Sequence, residues 1–442
     1  MKPPRSEVES SALEITDVFL RRGDPRLAGW HLEAPEQGQL SSTYAVKISG
    51  WVLGVDGPVE GVEVRGDQGL LVRAAVELDR PDIATAFPDL PASGVSGFTT
   101  TISTLTLASE FALELLAVMP EGFSIPLGTV RGRRSLLPAA PDSNIQPLIV
   151  TTFGRTGSSW LLRVLEHHPD LVAYRPFEYE SRVVIYWATV LLALSRPASY
   201  TQILEATDIS QPQWWLGNGV PAGPPGSADP RIESELGRRG IDELAEFVHR
   251  RVESFYRSVS HPADTSVPRF LVEKSLPGWP LIKLVEELYP AAKEVVLVRD
   301  FRDMICSILA FNEKRQTVGF GREAVESDDQ YVVWIRDFAV EMLEYYRERS
   351  GKAYLLRYED LIRQPEAALA KLLDWLGVAS DPTTVRETLA SASPETPTMI
   401  GHRTVRDASD SVGRWTRDLP LALRARSSEL LGEALMGFGY EP

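Results

Sequence analysis

The chain has 442 residues, too many for one ordinary hydrophobic core, and a usual domain size of about 150 residues divides it into two or three. Its 43% hydrophobic and 24% charged residues are the values of a folded globular protein. Sixty-one Asp and Glu against 46 Lys and Arg leave a formal charge of −15, which disfavours nucleic acid and anionic membranes as partners, and a single cysteine, Cys306, excludes an internal disulfide or a thiolate metal cluster built from this chain alone.

The N-terminal "MKPPRSEVESSALEITDVFL" lacks an apolar signal core, and roughly the first 40 residues read as irregular. From Tyr44 to Arg131, short alternating runs such as "YAVKISGWVLG", "GFTTTIST" and "FALELLAVM" are punctuated by Gly, Pro and Asp. That pattern predicts an antiparallel β-sandwich of about seven strands. The proline-rich "SLLPAAPDSNIQP" at 135–147 marks a boundary, giving an all-β domain over 1–140 and a second domain over 145–442.

Beyond it, the strand-like runs "PLIVTTF", "RFLVEKS", "KEVVLVRD" and "AYLLRYEDL" alternate with amphipathic helical stretches. Continuous apolar strands separated by helices predict an α/β fold, a parallel sheet covered on both faces. "VVIYWATVLLAL" at 183–194 is the longest strongly apolar run and falls short of the roughly 20 residues a bilayer needs, so a cytoplasmic location and no membrane span are expected. "NGVPAGPPGSADP" at 218–230 reads as a surface loop and a candidate lid.

The stretch "LIVTTFGRTGSSWLL", 148–162, ends a strand at Gly154 and resumes as a helix. Free backbone amides and the positive helix end meet in Gly-Arg-Thr-Gly-Ser-Ser, the makings of a phosphate cradle; the alternative is an ordinary Ser-capped turn. Gly154 and Gly157 lie too close for a Walker A loop, and Ser158 stands where its lysine belongs.

"FGRTGSSWLL" resembles the 5′-phosphosulfate loop of sulfotransferases that use 3′-phosphoadenosine-5′-phosphosulfate, PAPS. "VVLVRDFRDMICSILAF", 295–311, is similar to their 3′-phosphate motif, with Arg299 at a strand end and Ser307 eight residues on, where both can reach one phosphate. "RYEDLIRQPEAALAKLLDWLGV", 357–378, is similar to a structural strand-then-helix stretch of the family, and "SVGRWTRDLP", 411–420, to a segment of bacterial members that folds over the nucleotide.

The resemblance implies a P-loop-like sulfotransferase fold, PAPS as co-substrate, no metal, and an acceptor hydroxyl. It makes Arg155, Thr156, Gly157, Ser158, Ser159, Trp160, Arg299, Ser307 and Arg414 the nucleotide-binding residues, Trp160 near the adenine.

For catalysis it points to Glu178 as base, favoured over Glu180, and to Lys274 with Arg155 as stabilisers of the transferring group. A glutamate between Phe177 and Tyr179 suits a base. Lys274 ends a strand in a chain with 38 Arg and only 8 Lys, and the C-terminal ends of parallel strands are where such sites form. Related cytosolic enzymes carry lysine where Arg155 stands, and arginine does not readily give a proton. Each assignment competes with surface ion pairing: Glu178 with Arg175 or Arg182, and Lys274 with Glu273 or Glu178.

Of the six histidines only His167 and His168 are expected near the loop, as helix caps. The β domain resembles accessory modules of bacterial glycosyltransferases and sulfotransferases, which favours a sugar or glycan acceptor. The rival readings are a P-loop phosphotransferase and an inactive glycan-binding protein.

Overall fold

The computed structural model describes residues 11–67, 69–120, 122–139, 145–177, 179–195, 238–259, 268–277, 279–392 and 396–442. Glu178 and the loop 218–230 lie outside the described residues. The chain forms two compact units, one of Met1–Ala140, Tyr186–Arg250 and Pro280–Leu288, the other of Pro141–Ile185, Arg251–Trp279 and Tyr289–Pro442.

Among the described residues, the first unit has ten strands: β1 (Leu13–Leu20), β2 (Leu27–Ala34), β3 (Leu40–Ser41), β4 (Ala45–Gly54), β5 (Gly61–Gly66), β6 (Gly69–Ala75), β7 (Leu78–Asp79), β8 (Val95–Ser103), β9 (Glu110–Val118) and β10 (Ser124–Arg134). They form antiparallel sheets in the orders β3-β1-β10-β9-β5-β6 and β2-β4-β8-β7. Alternate residues such as Ile15, Ile48, Val62, Phe98, Leu113 and Leu127 from the two sheets share one core, so this is a sandwich.

The described residues from 11 to 43 are therefore not irregular. β1 lies along β10 and β2 along β4, but bulges between Ile15 and Asp17, Leu27 and Gly29, and Leu32 and Ala34 break the two-residue period by which strands are read. Arg134 and Glu287 form a buried ion pair at 2.6 Å within this unit, and the Leu137 amide donates to the same carboxylate.

The second unit is the expected α/β body. β11 (Gln146–Thr151), β12 (Leu171–Ala173), β13 (Phe270–Ser275), β14 (Lys293–Val298) and β15 (Ala353–Arg357) form one parallel sheet in the order β12-β13-β11-β14-β15. β11 is central; the chain builds one side of it first and then crosses to the other. Ligand crevices form at the C-terminal ends of strands at such a reversal.

Helices α1 (Ser158–Glu166), α2 (Phe301–Arg315), α3 (Asp328–Glu348), α4 (Tyr358–Arg363) and α5 (Pro365–Leu376) belong to this unit. Leu161, Leu162 and Leu165 pack with Val150, Val272, Leu297 and Leu369 into a common core. On β14, buried Glu294 accepts hydrogen bonds from Thr151, Tyr345 and Arg349, the last at 2.8 Å, so its charge is fully partnered. No described helix is long and apolar enough to cross a membrane.

Candidate active site

The turn after β11 has a fixed and unusual backbone. Arg155 has φ 68° and Gly157 φ 88°, both left-handed, and Gly157 then caps α1. A Cβ on Gly157 would come within 2.5 Å of the Tyr358 ring, and one on Gly154 would run into Phe320. Only glycine fits at Gly157 on both counts. Thr156 holds the turn from inside, its hydroxyl 2.6 Å from Thr152 Oγ1 and donating to the Phe153 carbonyl.

β14 delivers Arg299 beside this turn. Asp300 caps α2 by accepting from the Arg302 amide, which fixes the helix entry and sets Ser307 two turns in. Arg299 is 4% exposed: Nη1 donates to the Arg155 carbonyl at 3.0 Å, Nη2 to the Ser411 carbonyl at 2.6 Å, and the guanidinium lies 4.7 Å from the Tyr358 ring centre. Its Nε has no hydrogen-bond partner among the described residues. A buried guanidinium with an unused N–H has the capacity to bond an anion.

The C-terminal segment closes the other wall. The helix α6 (Pro397–His402) leads through Arg403 and Thr404 to Ser411. Arg155 Nη2 donates to the His402 carbonyl at 2.8 Å, Arg155 Nε lies 3.3 Å from Ser307 Oγ, and Ser307 lies 3.5 Å from Thr404 Oγ1. The resulting cleft encloses about 910 Å³, open mouth included, and is lined among others by Arg155, Ser158, Ser159, Trp160, Arg299 and Ser307.

Seven predicted residues, Arg155, Gly157, Ser158, Ser159, Trp160, Arg299 and Ser307, thus line one cleft, and Thr156 holds its turn from inside. Arg414 and Lys274 do not line it directly. Arg414 holds Thr404 Oγ1 at 2.8 Å and pairs with Asp418. Lys274, 6% exposed, donates to Ser159 Oγ at 3.3 Å and to Glu180 Oε1 at 2.9 Å. Burial works against ionised Glu180, but the Lys274 hydrogen bond and charge hold its carboxyl below the usual range.

Next to Lys274, Glu273 is wholly buried and accepts from Tyr256, from Ser181 Oγ at 3.1 Å, and from the Val183 and Val184 amides at 2.6 and 3.0 Å. Burial raises its carboxyl to about 7 against the pull of these donors. On α2, buried Asp303 accepts from the Gly413 and Trp415 amides at 2.6 and 2.9 Å, and burial raises it to about 6. Burial likewise lifts the Cys306 thiol to about 12, so it is no nucleophile at neutral pH.

The expectation that only His167 and His168 stand near the loop is corrected. His402 lines the cleft, its ring 5.4 Å from Phe177 and 5.1 Å from Phe311, while His168 Nε2 sits 2.8 Å from the Ala379 carbonyl. Burial, then the charges of Arg155 and Lys274, lower His402 to about 4 and keep it neutral. Tyr358, Thr404 and Ser411 were also missed; they lie some 200 residues or more from the loop, and no spacing rule connects them to it. Tyr358 stood within the recognised "RYEDL", whose Arg357 binds Asp360 and whose Glu359 accepts from the Asp300 amide.

No curated protein sequence matches this chain. Among solved structures it is similar to the sulfotransferase domain from the curacin biosynthetic pathway, at 16% identity over 67% of this chain and 98% of the other, TM-score 0.39. It is also similar to a mouse sulfotransferase, SULT7A1, complexed with PAP (11%, 66% and 84%, TM-score 0.36) and to sulfotransferase STF9 of Mycobacterium avium (15%, 67% and 78%, TM-score 0.32). The model of the sulfotransferase family matches residues 147–382, more than half of the length. The chain belongs to the sulfotransferase family, enzymes that draw their sulfuryl group from PAPS.

Proposed function

We propose that this enzyme transfers the sulfuryl group of PAPS to a hydroxyl of a carbohydrate or glycan. The observation that carries the reading is the convergence of Arg155, Ser158, Ser159, Arg299 and Ser307 on one cleft at the end of the parallel strands. When bound, PAPS supplies an activated sulfuryl group whose departure leaves a 5′-phosphate.

The residues present fit a ligand with two separate anionic groups. Arg299, with an unused N–H, and Ser307 would hold the 3′-phosphate, the Gly157 turn, Ser158 and Ser159 would hold the 5′ side, and Trp160 would meet the adenine. Arg414 acts through Thr404, which it holds in the wall. Arg155 offers a permanent charge to the transferring oxygens. Lys274, tied to Ser159 and Glu180, is the group able both to stabilise charge and to give a proton.

Glu178 is the proposed base that takes the acceptor proton. The carbohydrate acceptor rests on the likeness of the N-terminal sandwich to accessory modules of glycan-modifying enzymes. The test is mass spectrometry of saccharide acceptors incubated with PAPS and enzyme: products heavier by one SO₃ group are expected. Release of PAP without a sulfated saccharide, or ATP-dependent phosphorylation, would overturn the reading.

A further inference from the structure

A second cleft lies wholly within the first unit. It is lined by the β1–β2 turn, by Trp30 and His31 of β2, and by Trp51 of β4, and encloses about 1490 Å³ with its open mouth included. It is larger than the 910 Å³ nucleotide cleft and shallow, so its shape suits a chain of several rings rather than one compact ligand.

Its floor is aromatic by construction. Trp51 stands opposite His31 in the β2–β4 register, on the outer face of its sheet. The indole lies across Gly29, where any Cβ would approach it to 2.9 Å, and Phe87 sits 6.1 Å away at 50°. A side chain at residue 29 would lift the ring off the strand. Trp30 turns its Nε1 to the Arg21 carbonyl at 3.0 Å, bracing the turn above the cleft.

The rim is cationic. Asp24, the acidic residue in the lining, is neutralised by Arg26, which binds it through Nε, Nη2 and the backbone amide at 2.9, 2.7 and 3.0 Å. Arg21 and Arg22 are exposed and have no ion-pair partner among the described residues. Two adjacent uncommitted guanidiniums on a chain of charge −15 mark a site for an anion, and arginine matches the paired oxygens of a carboxylate or sulfate ester.

We propose that this cleft is a binding site for an acidic saccharide, its sugar faces lying on Trp51 and its sulfate or carboxylate groups on Arg21 and Arg22. The half-buried Trp51 indole offers a flat apolar body to the C–H face of a sugar ring, and the arginines supply the charge-assisted bonds. The site is separate from the transfer chemistry and its occupancy requires no turnover.

The test is isothermal titration of the full chain, saturated with PAP, with a heparin-derived hexasaccharide, and with maltohexaose as the uncharged probe. The sulfated probe is expected to bind and maltohexaose at least tenfold more weakly. The double variant R21E/R22E, altered at exposed positions, is expected to weaken the sulfated probe by roughly 10-fold or more while keeping its melting temperature and PAP affinity. Trp51→Ala is expected to weaken both probes. Equal binding of the two probes, an R21E/R22E variant that binds as well as the parent, or no binding of the sulfated probe to the PAP-saturated chain would each overturn the proposal.

Discussion

Lys274 is buried, yet its ammonium touches Ser159 of the turn and Glu180. Lys274→Ala removes a preorganised donor and is expected to lower kcat by about 10²–10³ with PAPS affinity largely kept, read from steady-state kinetics; near-full turnover would remove Lys274 from the chemistry. Arg299→Met is expected to act differently. It strips the cleft of a buried charge and should raise the dissociation constant for PAP by about 10² or more, measured calorimetrically. Gly157→Ala forces a methyl toward Tyr358 at a φ that disfavours it, so nucleotide binding should fall well before the fold melts. Motif resemblance and local spacing picked out Arg155, Arg299 and Ser307, which meet at one cleft, and Lys274, which reaches it only through Ser159. His402 was not legible, because a histidine 247 residues from Arg155 reaches the cleft only through the fold.

At the scale of elements, residues 396–415 form a strap held by side chains of other elements. Lys314 donates to the Arg403 carbonyl at 2.8 Å, Arg299 to Ser411, and Asp303 takes the Gly413 and Trp415 amides. Burial raises Asp303 from its ordinary 3.8 to about 6, against the Gly413 and Trp415 amides of the strap, which favour its charged form. The strap's own bonds to Asp303 therefore strengthen as pH rises through about 6 and the carboxylate ionises. Amide hydrogen exchange, corrected for intrinsic rate, should show greater protection of Gly413 and Trp415 at pH 7.5 than at pH 5; the reverse trend would contradict the assignment. The long apolar strands of the second unit could be read from sequence because each was continuous and followed by a helix. β1 and β2 could not, because one bulge in β1 and two in β2 interrupt their alternation.

For the whole molecule, Glu273 sets a pH dependence of stability. Its folded value of about 7 lies above the ordinary 4.5, so its contribution is complete below pH 4.5 and is lost as pH rises through about 7, a change on the order of 3 kcal/mol. His402 runs the other way: lowered from 6.5 to about 4, it favours the fold above pH 6.5 and loses that contribution as pH falls toward 4. Urea midpoints of the parent and of Glu273→Gln at pH 5 and pH 8 separate the two effects. The variant is expected to lose the decline toward pH 8; an unchanged decline would rule Glu273 out as its source.

The two glycines of the binding turn lie under rings from far downstream, Gly154 under Phe320 and Gly157 under Tyr358. The turn is encoded early in the chain, but what holds its curvature is translated 166 and 201 residues later. During synthesis at ~5–20 residues per second, the cradle stays unformed for tens of seconds after its own sequence has left the ribosome. Nascent chains stalled before Phe320 should fail to be retained on immobilised PAP, and capture should begin only once Tyr358 has emerged.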